Sequence, residues 1–394
     1  MRARIRLRPR SGSRTRSSPR PRSGPLPRRG ARVFAALAGA TTLAVVLVAV
    51  PRDGGGSPSG PGDASAGSPA AAAAPAPAGR AKPDARDVVL AVHGGAGTAL
   101  KREETSPQKE KAYRDGLRRA LRAGGRVLDA GGSSTEAVEK AVRVLEDDPL
   151  FNAGKGAVFT ADAGHELDAS IMRGSDMKAG AVAGVKHVRN PVTAARLVMK
   201  ETRHVLLAGQ GADDFAAQQG LKPVTQDYFW TQRRWDQLME AKGDKSVKDV
   251  TKGTVGAVAR DKKRNLAAAT STGGLTDKMA GRVGDSPVVG AGTYAKNSTV
   301  AASATGQGEV FIRGAATATI SALMEFERKD VASAAYEVLI RRLPKLGGDG
   351  GVIALDRDGT FDAPHSSEGM LTGHLTRDGE LVTRIFADES PPNR

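Results

Sequence analysis

The chain has 394 residues, with 59 Lys+Arg against 43 Asp+Glu and a formal charge of +16. Thirteen arginines fall within residues 1–52, where neither lysine nor acid occurs, so 46 bases face the same 43 acids beyond them, and a basic nucleic-acid-binding domain is excluded. The 39% hydrophobic share is too high for a disordered chain, and the absence of cysteine excludes disulfides, Cys-ligated zinc, iron–sulfur clusters and a thiol nucleophile.

Residues 1–32 alternate Arg, Pro and Ser, and residues 33–50 (VFAALAGATTLAVVLVAV) carry no charge. A basic leader before a short apolar run is the pattern of an export signal, and cleaved peptide and retained anchor both stay open. Arg28-Arg29 is a loose match to a twin-arginine signal. Residues 51–86, rich in Gly, Pro, Ala and Ser, read as a linker that cannot bury a core. Residues 88–92 then form a buried-strand run that stops at His93-Gly94-Gly95-Ala96-Gly97. A polar helix follows Ser106-Pro107 to about residue 122. Ser133 and Glu136 make a capping box before apolar residues at 137, 138, 141, 142 and 145. Asn190-Pro191 opens another helix, with Asn190 as cap and Pro191 in its first position.

Residues 225–252 are polar, with two Trp and no sustained period, and end before Gly253-Thr254. Strands at 254–259 and 266–271 flank a turn at 261–265, a hairpin signal. Residues 315–326 and 331–343 read as helices; 351–355 and 381–386 read as strands, with a turn at 356–359. Such blocks predict an α/β or α+β fold with both sheet faces covered.

The six histidines (93, 165, 187, 204, 365, 374) form no i, i+4 metal pair and read as ordinary surface or core residues. No P-loop, no G-x-G-x-x-G opening a helix and no G-x-S-x-G elbow occurs. What remains is threonine beside glycine: Thr254 after Gly253, Thr272 before Gly273, and Thr305 before Gly306. A threonine hydroxyl needs an adjacent base, and the α-amine of a chain-terminal threonine, with a pKa of about 7.7–8.0, can be that base. An internal threonine acquires the amine only when the preceding peptide bond is cut, and a glycine at the end of a loose segment can take the geometry this needs. Each threonine also has a plain reading as a strand residue, and Arg282 and Asp285 as an exposed ion pair.

In order along the chain come H-G-G-A-G at 93–97, F-N-A-G at 151–154, H-E-L-D-A-S at 165–170 and G-T-V-G-A-V-A at 253–259. T-S-T-G-G at 270–274, G-R-V-G-D-S-P at 281–287 and G-A-G-T-Y at 290–294 follow. Together they closely resemble the plant-type L-asparaginase/isoaspartyl peptidase family of N-terminal nucleophile hydrolases, from about residue 88 to 386. The resemblance implies an α+β fold, the four-layer αββα sandwich, cut by the chain itself between Gly253 and Thr254. An α chain (87–253, with 225–253 loose) and a β chain (254–394) would result, assembling as a dimer of αβ units.

By the same resemblance Thr254 is the nucleophile and Thr272 its hydrogen-bonding neighbour. Arg282 grips the substrate α-carboxylate and Asp285 the α-ammonium. Thr305, the Gly306 backbone and Gly308 anchor substrate or oxyanion, and Asn152 is a second oxyanion donor. No cofactor is implied for catalysis. A structural sodium on backbone carbonyls of the loop matching Leu145, Glu146, Asp148 and Phe151 is implied. The expected substrate is a small molecule or dipeptide with free α-amine and α-carboxylate: a β-aspartyl dipeptide or L-asparagine. Nucleic acid is not an expected partner, and membrane contact would come only through the N-terminal segment of an exported protein. Lys155 stands where the family more often has an apolar residue, and Arg264 replaces a usual turn glycine. Two other readings stay open: a glycosylasparaginase, the branch that cleaves sugar–asparagine links, and an inactive surface or binding protein of the same fold.

Overall fold

The computed structural model describes residues 83–97, 101–243 and 253–389. The basic leader and apolar run at 1–50 and the linker up to 82 lie outside the described residues. Among the described residues no helix is long and apolar enough to cross a membrane.

The run expected at 88–92 extends to a nine-residue strand, β1 (Val88–Ala96). Helix α1 (Pro107–Asp129) starts where Ser106 accepts from the Lys109 N–H, and it outruns its expected end. Helix α2 (Ser134–Glu146) opens on the Ser133/Glu136 capping box. Strands β2 (Leu167–Arg173) and β3 (Ala179–Val185) precede α3 (Pro191–Glu201). The cap expected from Asn190 is not made: its amide lies 3.3 Å from Asp147, and the Val192 N–H donates instead to Glu146 Oε1 at 2.9 Å. Short β4 (Leu206–Ala208) and α4 (Gly209–Gln218) follow.

The expectation of a loose segment over 225–253 is corrected as far as residue 243. Helix α5 (Gln232–Gly243) forms there and buries Arg234 and Leu238, with Phe229 buried just before it. The hairpin is β5 (Val255–Arg260) and β6 (Leu266–Thr272), antiparallel with Val255 opposite Ser271. Arg264 in its turn has a φ of 61°, the left-handed conformation that explains the family's glycine there. Strands β7 (Thr293–Ala295) and β8 (Val300–Gly306) lead into α6 (Gly308–Arg313), α7 (Ala316–Phe326) and α8 (Val331–Tyr336). The last of these, expected to stay regular to 343, widens into a π-type turn over Glu337–Arg342. Strands β9 (Gly350–Asp356), β10 (Phe361–Asp362), β11 (Gly369–Thr376) and β12 (Leu381–Phe386) complete the described chain.

Two sheets result, ordered β12-β11-β1-β5-β6-β2-β3-β4 and β10-β9-β8-β7. Side chains alternate across a strand, so each strand feeds two interfaces. Leu90, Val92, Val255, Ala257, Ala259, Ala267 and Ala269 face α1, α2 and α3, whereas Val88, Ala91, Val258, Leu266 and Ala268 face the second sheet. From that sheet Ala301, Ile353 and Leu355 face inward, while Val300, Ala302, Ala304, Val352 and Ala354 pack under α7 and α8. Three apolar interfaces separating helices, sheet, sheet and helices are the αββα sandwich. The inward row of each central strand sets the position of the site.

Candidate active site

Thr254 precedes β5 and Thr272 ends β6. Continuing the pairing of Val255 with Ser271 by one residue brings the two threonines side by side on the inner face. The Thr254 hydroxyl donates to Thr272 Oγ1 at 3.1 Å. Thr272 Oγ1 also accepts from the Gly274 N–H at 2.9 Å and donates to the Gly253 carbonyl at 3.0 Å. A second donor reaches that carbonyl from the loop after α2: Asn152 Nδ2 lies 2.8 Å from Gly253 O and 2.7 Å from Gly274 O. The Asn152 side-chain oxygen accepts from the Val158 N–H at 3.0 Å, which orients the amide. The carbonyl preceding Thr254 therefore sits in a two-donor seat with the hydroxyl beside it. Thr254 itself is 6% exposed.

Gly95, at a φ of +121°, packs so close that a Cβ there would stand 3.1 Å from the Gly253 Cα. The Ala96 N–H donates to Thr305 Oγ1 at 3.2 Å, tying the H-G-G-A end of β1 to the end of β8. Thr305 is thus joined to β1, and the structure gives it no direct bond to Thr254. Gly306 has a φ of +145°, and two residues on, a Cβ at Gly308 would meet both Arg282 Nη2 and Asp285 Oδ1 at 3.0 Å. Glycine at 308 keeps that corner open. A cavity of about 110 Å³ is lined by Gly253 together with Gly95, Asn152, Arg233, Arg234 and Gln237, which places α5 near the seat.

Arg282 and Asp285 come together as expected, with one difference. The Nε–Nη2 edge of Arg282 holds Glu309 Oε1, at 3.0 and 2.9 Å. Asp285 is buried, and its Oδ2 has no hydrogen-bond partner among the described residues. Burial pushes its carboxyl up to about 7, opposed by its own backbone N–H and by Arg282. A buried carboxylate with one unpartnered oxygen beside a guanidinium suits a zwitterionic ligand, since the ligand's ammonium would relieve the desolvation that raises the pKa.

Three charged groups that the sequence reading passed over line the same wall. Lys278 lies beneath Gly274, with Nζ on the Glu166 carbonyl at 2.8 Å, and burial lowers its pKa while Asp168 and Glu166 raise it. The available signal was a lysine and two acids within otherwise apolar strand-like motifs. Lys155, the departure from the family pattern, is exposed with its ammonium 5.9 Å from the Tyr228 ring.

Around the loop expected to hold sodium, glycines at 154 and 156 admit the Glu146, Pro149 and Phe151 carbonyls where a Cβ would overlap them. Hard, neutral oxygens of this kind fit a monovalent cation. The Leu145 carbonyl accepts from backbone N–H groups, and the Asp148 side chain is held by Arg119 at 2.6 Å. The Glu146 side chain points away into the core, where Ser271 Oγ donates to it at 2.7 Å and burial raises its pKa to about 8.

A family model described as asparaginase matches residues 86–384. An isoaspartyl peptidase of Salmonella typhimurium is 53% identical over 292 residues, 72% of this chain and 93% of that protein. The isoaspartyl peptidase of Escherichia coli is 50% identical, covering 72% and 91%. The human isoaspartyl peptidase/L-asparaginase is 40% identical over 306 residues, covering 77% and 97%. With the layered fold and the seven motifs gathered around one seam, the chain belongs to the L-asparaginase/isoaspartyl peptidase family of N-terminal nucleophile hydrolases.

Proposed function

We propose that this hydrolase cuts itself between Gly253 and Thr254 and then cleaves β-aspartyl dipeptides and the side-chain amide of L-asparagine. The observation that carries the reading is the Gly253 carbonyl seated between Asn152 Nδ2 (2.8 Å) and Thr272 Oγ1 (3.0 Å), beside the Thr254 hydroxyl. In the first reaction Thr254 Oγ attacks the Gly253 carbonyl carbon. The peptide C–N bond breaks, the nitrogen takes the hydroxyl proton, and water hydrolyses the ester to a Gly253 carboxylate and a free Thr254 amine. That amine is then the base: it takes the Oγ proton as Oγ attacks the substrate's β-carbonyl and passes it to the leaving ammonia or peptide amine. Water hydrolyses the resulting β-aspartyl ester, releasing aspartate. Asn152 and the Thr305–Gly306 corner serve the oxyanion. Asp285 takes the substrate α-ammonium and Arg282, released in part from Glu309, the α-carboxylate.

The relatives' names, isoaspartyl peptidase and isoaspartyl peptidase/L-asparaginase, support this choice of substrates over glycosylasparagine. A filled set of reactive positions speaks against an inactive binding protein. Export through the N-terminal segment, a dimer of αβ units and a structural sodium on the Glu146–Phe151 carbonyls belong to the same reading. The purified protein should separate under denaturing conditions into two fragments, the smaller beginning with Thr254, and Thr254→Ala should remain whole and inactive. A wild-type chain that stays single sinks the autoprocessing. Ammonia from L-asparagine, amino acid from a β-aspartyl dipeptide and sugar from GlcNAc-asparagine, measured side by side, decide the substrate; turnover of the last alone would favour the glycosylasparaginase.

A further inference from the structure

Behind the nucleophile, between the sheets, lies a run of buried polar side chains that the mechanism above does not use. His93 is fully buried at the end of the β1–β5 pairing, which reaches His93 opposite Gly256. Two residues before Gly256, the main-chain carbonyl of Thr254 lies 3.0 Å from His93 Nδ1, and Nε2 lies 2.8 Å from Ser303 Oγ. Ser303 Oγ is 2.7 Å from Thr270 Oγ1, and Thr293 Oγ1 donates to Thr270 Oγ1 at 2.5 Å.

Chemistry fixes the direction of every proton here. A carbonyl oxygen only accepts, so Nδ1 must carry the hydrogen. Burial holds the ring neutral, its pKa lowered to about 3 against the raising effect of the Thr254 hydrogen bond. Nε2 is then a bare acceptor, and the Ser303 hydroxyl gives its proton to Nε2 rather than to the Ala269 carbonyl at 3.2 Å. Ser303 in turn accepts from Thr270, whose other acceptor, the Gly292 carbonyl, is farther at 3.3 Å, and Thr270 accepts from Thr293, whose other acceptor, the Ser286 carbonyl, is at 3.5 Å. The result is a one-way chain, Thr293 to Thr270 to Ser303 to His93 to the Thr254 carbonyl. It also explains Gly256 in the G-T-V-G-A motif, because a Cβ at that position would overlap both Ser303 Oγ and His93 Nε2.

We propose that His93 is a positioning residue for Thr254, its tautomer set by the Thr254 carbonyl, its ring held from behind by the Ser303–Thr270–Thr293 hydroxyls, and its Nδ1–H fixing the Thr254–Val255 peptide plane once Thr254 has become a chain end. Before the cut, peptide bonds on both sides hold Thr254. Afterwards the N-terminal tether is gone, and two holds remain. The imidazole fixes the peptide plane, and Thr272 on Oγ fixes the side chain relative to it. Together they aim the amine and the hydroxyl at the same substrate carbonyl.

This inference rests on the reading of Thr254 as nucleophile, yet its first test needs no turnover. Ring-nitrogen NMR of the full chain labelled with 15N-histidine should show His93 as the neutral Nδ1–H tautomer, and Ser303→Ala, which removes the hydrogen bond to Nε2, should shift the Nε2 resonance while Nδ1 keeps its hydrogen. An Nε2–H or charged ring in the wild type overturns the proposal whatever the substrate is. The second test is kinetic, on processed protein. His93→Leu should lose roughly 10²-fold in kcat with KM within about threefold, the scale of an ångström of misplacement. His93→Asn, which keeps a donor near the Nδ1 position, should recover at least about tenfold of that loss at a similar Tm. Equal kcat in His93→Leu and wild type, or losses in both variants that merely follow Tm, overturn the role. If His93→Leu fails to fold, His93→Asn against Ser303→Ala carries the comparison: the serine variant should lose kcat while Tm falls by only several degrees, and wild-type kcat there overturns the relay. A wild type that turns over neither asparagine nor a β-aspartyl dipeptide defeats the proposed function, while the tautomer still reports on His93 alone.

Discussion

Thr272→Val removes one hydroxyl and keeps the branched shape that β6 packs. That hydroxyl accepts from Thr254 Oγ1 at 3.1 Å and from the Gly274 N–H at 2.9 Å, and it donates to the Gly253 carbonyl at 3.0 Å. Self-cleavage puts negative charge on the Gly253 oxygen, so losing one of its two side-chain donors should slow the cut by about 10²–10³, or about 2.7–4 kcal/mol. The stranded Gly274 N–H costs about 1–3 kcal/mol of stability. At about 2–4 °C per kcal/mol for a domain of this size, the melting point falls by only several degrees. The two effects are therefore separable. Freshly purified wild type, Thr272→Ser and Thr272→Val are incubated at neutral pH well below their melting points, sampled over time, and scored for the fraction split on a denaturing gel. Serine should cut within severalfold of wild type and valine two to three orders more slowly. If valine cuts as fast as serine, the Asn152–Thr272 pair is no oxyanion seat and the reasoning fails.

KM for a β-aspartyl dipeptide should fall as pH rises through about 7 and then level, because Asp285 must ionise to take the ammonium. Below that pH each unit should weaken binding up to about tenfold, and Asp285→Asn should show a high KM without this slope. Glu146 binds its proton more tightly folded than unfolded, with its pKa raised from 4.5 to about 8. Its contribution to stability is thus greatest below 4.5 and is lost as pH climbs through 8, so Glu146→Gln should melt with the wild type at pH 5 and above it at pH 9. A constant gap in melting point would refute that assignment. Because Arg234 and Leu238 are buried and Arg234 Nε donates to the Gly156 carbonyl at 2.7 Å, α5 should stay docked after the cut. Mild trypsin should then spare Arg234 in the native processed protein, and rapid cleavage there would count against the docking.

Local signals read well here and distant ones did not. The β5–β6 hairpin was legible because its turn and both apolar runs are contiguous, and the capping box because its two residues are three apart. Helix α5 was missed because it buries only Arg234 and Leu238, and one of these is charged, so no apolar stripe marks it. The start of α3 was misassigned because its orphan N–H is met by Glu146, which reaches it from the end of α2. The position of β1 between β11 and β5 depends on partners far apart in the chain. Thr254, Thr272, Arg282 and Asp285 were readable only as a combination of motifs, and the Glu309 grip on Arg282 was not readable from any of them.

The hydroxyl chain shows why a reactive seam escapes a strand-by-strand reading. On the inner face, β5 traced backwards leads from Val258 through Gly256 to Thr254 just before its start, β6 runs from Leu266 through Ala268 and Thr270 to Thr272, and β8 from Ala301 through Ser303 to Thr305. Each is an ordinary strand pattern, with an apolar start and a small polar end. Pairing of β5 with β6 and packing of β8 from the facing sheet place all three polar ends together, so one seam passes from a dry zone that holds the sheets together to a zone where hydroxyls face one another. A buried hydroxyl left unbonded costs about 1–3 kcal/mol, so these groups are stable there only when joined to one another and to His93. The bonding that satisfies them also fixes their directions, and it ends on the carbonyl of Thr254 and the oxygen of Gly253. The requirement that a buried polar seam be fully hydrogen-bonded is thus enough to hold the proposed nucleophile in one orientation before any substrate arrives.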